Sequence, residues 1–226
     1  MNTFHYYIPI FLQKVGYIVF SIAYKTFLRI EIRGKENLKS LKGPVIIASN
    51  HTSELDVTIA SMLLPFFSPL LPVYFVSDPK EKFKSFGWRN YIYGGIFFNV
   101  LGGYPIHSGH HDYATSLENH LELLKNGKTV FIFPEGKRTR DGKFNPARGG
   151  LGYMVYETGA QVVPIAINTF YNLSWHEFLL RKRKVVVTIL PPVQKSELFQ
   201  TSEPLVDDYR HASQIILDRI KRVLES

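Results

Sequence analysis

The apolar residues of this chain fall into short blocks separated by polar turns, and the blocks alternate between two periods. Val45 to Ala48 is an unbroken apolar run, the pattern of a strand buried on both faces. Val73 to Val76, Val130 to Phe133, Val162 to Ile167 and Val185 to Leu190 repeat it. Tyr113 to Leu124 places Leu117, Leu121 and Leu124 at helical spacing, with Gly127 just past the end, where helices stop. Gly149 to Thr158 and an amphipathic segment from Leu205 to Leu224 predict two further helices. Thr52 or Ser53 can cap another that starts near Ser53. Strand and helix alternate without repeat or linker, which predicts an α/β fold. Its sheet is expected to be mixed, mostly parallel and covered by helices on both faces.

Two segments depart from that alternation. The stretch from Tyr6 to Ile30 is apolar but is interrupted by Gln13 and Lys14. Neither half reaches the roughly 20 residues that span a bilayer, so two short helices lying in a membrane interface are expected. Lys14, Lys25 and Arg29 then sit at headgroup level with Phe, Tyr and Ile toward the acyl chains. A pair of core helices has the same pattern. The chain therefore divides into membrane-interface helices over residues 1–30 and one domain over residues 31–226. Val57 to Ser77 carries no charge, yet Pro65, Pro69 and Pro72 forbid one continuous spanning helix. Exposed on a free monomer, Leu63 to Leu71 would be a costly apolar patch. Lys80, Lys82 and Lys84 follow it, and apolar beside basic is the pattern of an anionic bilayer surface.

Composition narrows the partners. The chain has 226 residues, 45% of them hydrophobic and 20% charged, which excludes disorder and collagen-like structure. Its net charge of +8 favours a polyanionic partner: nucleic acid, anionic lipid or an acidic carrier protein. The absence of cysteine removes disulfides, thiolate metal sites and a cysteine nucleophile, and it fits a reducing compartment. Met1 to Tyr7 lacks the basic start of a secretory signal.

Three constellations carry candidate chemistry. In Asn50-His-Thr-Ser-Glu-Leu-Asp56, a histidine and an aspartate follow a buried strand, where open α/β sheets place ligands. Asp56 on the first helical turn can accept the Nδ1 hydrogen of His51 and leave Nε2 as a base. Chance supplies this spacing in roughly one chain in four of such composition, and a capping Asp beside a surface His reads the same way. Val130-Phe-Ile-Phe-Pro-Glu-Gly-Lys-Arg-Thr-Arg140 again sets polar groups after an apolar strand. Gly136 permits a tight turn, Lys137, Arg138 and Arg140 offer donors to a phosphate, and Glu135 can accept from hydroxyls or hold an arginine. Ala147-Arg148-Gly149-Gly150 can add a cation and backbone N–H donors for an oxyanion, or be a plain turn before a helix.

Taken together these residues resemble the glycerolipid acyltransferases related to lysophosphatidate acyltransferase. The family's His-x-x-x-x-Asp block is matched by His51 and Asp56. Its Phe-Pro-Glu-Gly-Thr-Arg-Ser block is matched at five of seven positions by Phe133-Pro134-Glu135-Gly136-Lys137-Arg138-Thr139. Its apolar strand with proline is matched by Val162-Val163-Pro164-Ile165-Ala166-Ile167, and the likeness spans roughly Leu41 to Asn168. One block departs: where the family carries a phosphate-binding arginine, Gly102-Gly103-Tyr104-Pro105-Ile106-His107-Ser108 has Ser108, with His110 and His111 close by. Lys137 in place of the usual threonine and Arg148 in place of a common lysine can restore the charge, or the acceptor carries no phosphomonoester. Those histidines raise a metal site, but only one carboxylate, Asp112, is near them.

The resemblance implies a membrane-associated O-acyltransferase, with residues 31–226 as its acyltransferase domain. His51 and Asp56 are the implied catalytic residues. Glu135, Gly136, Lys137, Arg138, Arg148 and position Ser108 are implied to bind substrate. The acyl thioester is a co-substrate, acyl-CoA or acyl carrier protein, and Arg181-Lys182-Arg183-Lys184 suits either anion. No cofactor, metal or nucleic acid is implied. The acceptor is a lysophospholipid, 1-acyl-sn-glycerol 3-phosphate first, at the cytoplasmic face of an anionic membrane, with peripheral or monotopic attachment. A lysolipid without a terminal phosphate is the alternative acceptor. A nonenzymatic lipid-binding protein would leave His51, Asp56 and Glu135 without a role. A serine hydrolase would need Gly-x-Ser-x-Gly, which does not occur. A nucleic-acid binder would have only one short basic run to offer.

Overall fold

The five apolar runs become strands of a single sheet, joined by two strands that the pattern did not mark. The computed structural model describes residues 4–39, 41–78, 99–107, 112–168 and 170–225. Its strands are β1 (Arg29–Arg33), β2 (Val45–Ser49), β3 (Val73–Ser77), β4 (Gly103–Pro105), β5 (Thr129–Ile132), β6 (Gln161–Asn168) and β7 (Lys184–Ile189). They lie in the order β1-β7-β6-β2-β5-β3-β4. Every neighbouring pair is parallel except β6 with β7, so the sheet is mixed and mostly parallel as expected.

The helices are α1 (Phe4–Phe27), α2 (Asp56–Leu63), α3 (Tyr113–Ser116), α4 (Glu118–Lys125), α5 (Gly150–Thr158), α6 (Trp175–Leu179), α7 (Lys195–Leu198) and α8 (Val206–Glu225). Alternate residues of the central strands enter separate cores. Val45, Ile47 and Phe131 join the core that holds Ile59 of α2 and Tyr24 of α1. Ile46, Ala48 and Val130 join Leu124, Met154 and Ile216 of α4, α5 and α8 on the other face. β2 is buried at every position, which is why Val45 to Ala48 reads as a continuous apolar run.

Topology gathers several chain ends at one edge. β2, β5 and β6 run in parallel, so the loops that follow them emerge together. β7 runs against β6 and β1 runs with β7, so the starts of β1 and β7 lie at that same edge. The last turn of α1 leads directly into it.

The N-terminal segment differs from the expected pair of short helices. Gln13 and Lys14 do not interrupt it: α1 is one helix of 24 residues with Pro9 inside, and Tyr7–Phe27 is long and apolar enough to cross a membrane. Gln13 is tolerated because it is a buried anchor. Its amide accepts from Val73 N at 2.9 Å and donates to Val73 O at 2.7 Å and Leu101 O at 2.9 Å. Tyr24, also buried, is hydrogen-bonded to Thr58 of α2. A boundary at residue 30 would thus separate a helix that shares the core of the following domain, and would fall inside β1.

Other boundaries shift for local reasons. α2 begins at Asp56 without a side-chain cap from Thr52 or Ser53, because the Asp56 carboxylate itself takes the loop N–H groups. The helix expected over 113–124 is broken at Leu117, whose backbone leaves helical geometry (φ −114°, ψ 13°). Leu63 and Leu64 enter the core, so the expected apolar patch shrinks to its aromatic tip. There Lys14 lies 5.1 Å and 5.2 Å from the ring centroids of Phe66 and Phe67. Lys80, Lys82, Lys84, Ser108, His110 and His111 lie outside the described residues.

One buried titratable group couples this fold to pH. His120 of α4 is buried against β4, where its Nε2–H donates to Tyr104 O at 3.2 Å, and desolvation pushes its pKa down to about 4. The unfolded chain binds this proton near pH 6.5, so stability is complete above that pH and falls as pH drops toward 4. Lowering the pH from 7 to 5 should remove about 2 kcal/mol through this residue alone. Urea titrations at the two pH values should show that loss in the intact chain and a smaller one in His120→Gln.

Candidate active site

The end of β2 is prolonged by a side chain. Asn50 is buried, its Nδ2 donates to Ile167 O at 2.9 Å and its Oδ1 accepts from Ile167 N at 2.9 Å. The amide imitates a strand residue opposite β6 and releases the chain into a turn at His51. Both main-chain groups of His51 are then taken by the loop that follows β5. Its N–H donates to Glu135 Oε1 at 3.1 Å, and its carbonyl accepts from Thr139 N at 2.9 Å.

Asp56 opens α2 and has no exposed surface. Its Oδ2 accepts from Thr52 N at 2.6 Å and Ser53 N at 2.7 Å, and the Nδ1–H of His51 donates to it at 3.2 Å. These donors, with the N-terminal end of the helix dipole, offset the cost of burying the carboxylate. Committing Nδ1 to Asp56 selects the neutral tautomer whose Nε2 carries a free lone pair. The ring stacks on Phe133, centroids 3.8 Å apart and planes 10° from parallel. Its side chain stays 18% exposed. The imidazole is therefore held at Nδ1 by Asp56 and on one face by Phe133, and it remains partly exposed.

Glu135 was expected to accept from a hydroxyl or to hold an arginine. It is 2% exposed, and its oxygens turn inward. Oε1 takes the His51 N–H, while Oε2 accepts from Asn145 N at 2.7 Å and Asn145 Nδ2 at 3.0 Å. Gly136 adopts φ +65°, a conformation that favours glycine, and the Arg148 side chain lies across it: a Cβ there would stand 2.7 Å from Arg148 Cδ. Arg148 N donates to Pro134 O at 2.8 Å, so this N–H is already engaged. Its guanidinium side chain is exposed, as is Lys137. Arg138 Nη1 donates to Glu54 Oε1 at 3.0 Å, a pair between the two loops that is about half exposed on each side.

The structure thus brings His51, Asp56, Glu135, Gly136, Lys137, Arg138 and Arg148 to one end of the sheet. Ser108 lies outside the described residues. Asn50, Thr139, Asn145, Phe133 and Glu54 also shape the site, although sequence reasoning assigned them no role there. Asn50 had a local signal, a buried-strand end directly before the histidine. Asn145 had none, because its partner is ten residues away across a turn.

The chain resembles known proteins over most of its length. A family model described as Acyltransferase matches residues 29–168. A chloroplastic 1-acyl-sn-glycerol-3-phosphate acyltransferase of Arabidopsis thaliana is 31% identical over 182 residues, covering 78% of this chain and 47% of the relative. The human 1-acyl-sn-glycerol-3-phosphate acyltransferase beta is 26% identical over 204 residues, covering 87% and 67%. The chain spans about half the length, or less, of the Arabidopsis, Brassica and Chlamydomonas relatives it matches. The crystal structure of the 1-acyl-sn-glycerophosphate acyltransferase PlsC from Thermotoga maritima superposes with a TM-score of 0.67 at 23% identity, covering 97% of this chain and 79% of that one, and so shares its fold.

Glu135→Ala would leave three N–H donors around a buried space and release His51 from the second loop. Denaturant unfolding should show a loss of roughly 2–4 kcal/mol. Glu135→Gln keeps the shape but turns an amide N–H toward donors, so it should recover only part of that loss.

Proposed function

Because the chain belongs to the acyltransferase family, we propose that it transfers a fatty acyl group from an acyl thioester to the hydroxyl of a lysophospholipid, 1-acyl-sn-glycerol 3-phosphate first among them, which would make phosphatidic acid. The observation that carries this reading is the partly exposed imidazole of His51, held by a wholly buried Asp56 at the same sheet end as a cationic loop. The relatives whose names describe this activity support the choice of acceptor.

In the proposed reaction His51 Nε2 takes the proton of the acceptor hydroxyl as its oxygen attacks the thioester carbonyl. Asp56 holds the imidazole and stabilises the positive charge it acquires. Collapse of the tetrahedral intermediate breaks the C–S bond, the new ester C–O bond remains, and the departing thiolate takes the proton back from His51. No covalent acyl-enzyme and no cofactor enter this sequence. Arg138 is the proposed ligand of the acceptor's anionic headgroup, with Lys137 and Arg148 beside it. Its surface pair with Glu54 is worth about 0–1 kcal/mol, little enough for a phosphate to displace.

The proposed location is the cytoplasmic face of an anionic membrane. Tyr7, Phe11, Val15, Ile18 and Ile22 form an exposed apolar stripe along α1. The opposite side of the helix is fastened to the domain through Gln13 and Tyr24. A helix so fastened along its length fits lying in the interface beside its domain better than crossing the bilayer. The donor, acyl-CoA or acyl carrier protein, would approach from the aqueous side.

His51→Ala should lower turnover by 10²–10⁴ or more while circular dichroism stays native, because the side chain lies outside both cores. Arg138→Ala should lower kcat/KM for lysophosphatidate by roughly 10- to 150-fold and leave the donor KM nearly unchanged. Full activity in folded His51→Ala would overturn the mechanism. A donor-specific defect in Arg138→Ala would assign the loop to the thioester and point to an acceptor without a terminal phosphate.

A further inference from the structure

The segment between β6 and β7 carries an exposed surface that the reaction above does not use. Trp175, Leu179 and Leu180 are 79%, 57% and 56% exposed, an unusual density of large apolar side chains for one short helix and its end. The helix is firmly built. Ser174 and Glu177 form a reciprocal capping box at its start. Arg183 reaches back to Glu177 with N–O distances of 2.7 Å, tying the far end of the loop to the same carboxylate. Phe178 faces inward, its ring centroid 5.2 Å from that of Phe27 in the last turn of α1. α6 therefore packs against the last turn of α1, with Trp175, Leu179 and Leu180 left exposed outside that contact.

Cations border these apolar residues. Arg181, held at φ +54°, starts the basic run that leads into β7. Together with Lys25, Arg29 and Lys184 it lines an open cleft of about 330 Å³, in which Glu31 is the one carboxylate among the described residues. Glu31 bonds Lys184 at 2.7 Å and Arg33 at 2.6 Å. Neither of those bonds engages Lys25 or Arg181, and Arg29 donates through Nη2 to Lys182 O at 2.9 Å. The cleft sits at the start of β1 and β7, which is the sheet end that also carries His51.

We propose that α6 is a second membrane contact: Trp175, Leu179 and Leu180 insert among lipid acyl chains, while the cleft between Lys25, Arg29, Arg181 and Lys184 receives an anionic lipid headgroup. This rests on the reading that α1 lies in the interface, and it adds a contact far from α1 in sequence, at the sheet end into which the last turn of α1 leads. An acidic carrier protein would also be drawn to the cations. The apolar residues decide for the bilayer, because Trp175, Leu179 and Leu180 stand exposed directly before Arg181 and its basic run, apolar beside basic as in an interfacial wedge. Two contacts at the sheet end would hold the His51 site against the surface in which a lysolipid resides, whereas α1 alone would leave the domain free to roll about the helix axis.

The full chain is tested with vesicles of phosphatidylcholine, with and without phosphatidylglycerol, some carrying brominated acyl chains. Brominated vesicles should quench tryptophan fluorescence, and most of that quenching should vanish in Trp175→Phe. Leu179→Glu with Leu180→Glu should weaken binding to both vesicle types. Lys25→Gln with Arg181→Gln should weaken binding to the anionic vesicles roughly 10- to 30-fold at low salt and leave neutral vesicles unaffected. Ile18→Asp in the α1 stripe separates the two readings. If Ile18→Asp abolishes binding while Trp175→Phe leaves quenching unchanged and the α6 variants bind as the parent does, the wedge is overturned and the α1 contact stands. If the unaltered chain binds neither vesicle, both readings fall. If Lys25→Gln with Arg181→Gln raises the KM for an acyl carrier protein donor and spares vesicle binding, the surface serves the carrier and the proposal is wrong.

Discussion

The buried carboxylate of Glu135 is the constraint on which the site depends. Alone, a carboxylate at 2% exposure would be costly; here one oxygen takes the His51 N–H and the other takes two N–H groups of Asn145. The loop after β2 and the loop after β5 are thereby joined through a single charge. With Thr139 N bonded to the His51 carbonyl, the histidine backbone has no freedom to drift from the loop that carries Lys137 and Arg138. His51 and the cations keep a fixed relation because neither loop can move without stripping a partner from that carboxylate.

Asp56 serves within one loop as Glu135 serves between two. It is wholly buried and gathers the N–H groups of Thr52 and Ser53 before it meets His51 Nδ1. The bonds that shape the turn are the ones that hold the carboxylate in place to orient the imidazole. Folding of the turn and orientation of the imidazole are therefore one event.

α1 has two tasks that pull in opposite chemical directions. Its outer stripe is apolar and exposed, while its inner side closes a core through Tyr24 and reaches Val73 and Leu101 through Gln13. A polar residue in the middle of an apolar helix would weaken a membrane anchor. Here it supplies direction, since the Gln13 amide can be satisfied only when one particular face of the helix meets β3. Where α1 ends, α6 and the basic starts of β1 and β7 begin, so apolar and cationic surfaces meet at the end of the sheet that carries the histidine.

The five principal strands, the alternation that makes the sheet, and the pairing of His51 with Asp56 were legible in the sequence because each is written in neighbouring residues. An apolar run of four or five, a Gly after a helix, and a His five residues before an Asp are local patterns with local causes. β1 and β4 were not legible: one is hidden in the tail of an apolar helix, and the other has three residues whose only reason to be extended is pairing with β3. The unbroken course of α1 was missed because Gln13 looks like an interruption until its partners, 60 and 88 residues away, are in place. The inward turn of Glu135, the cover of Arg148 over Gly136 and the junction of α6 with α1 were likewise decided by tertiary structure. Each depends on groups that meet only after parallel strands have brought distant loops to one edge, and no spacing along the chain encodes which of them will touch.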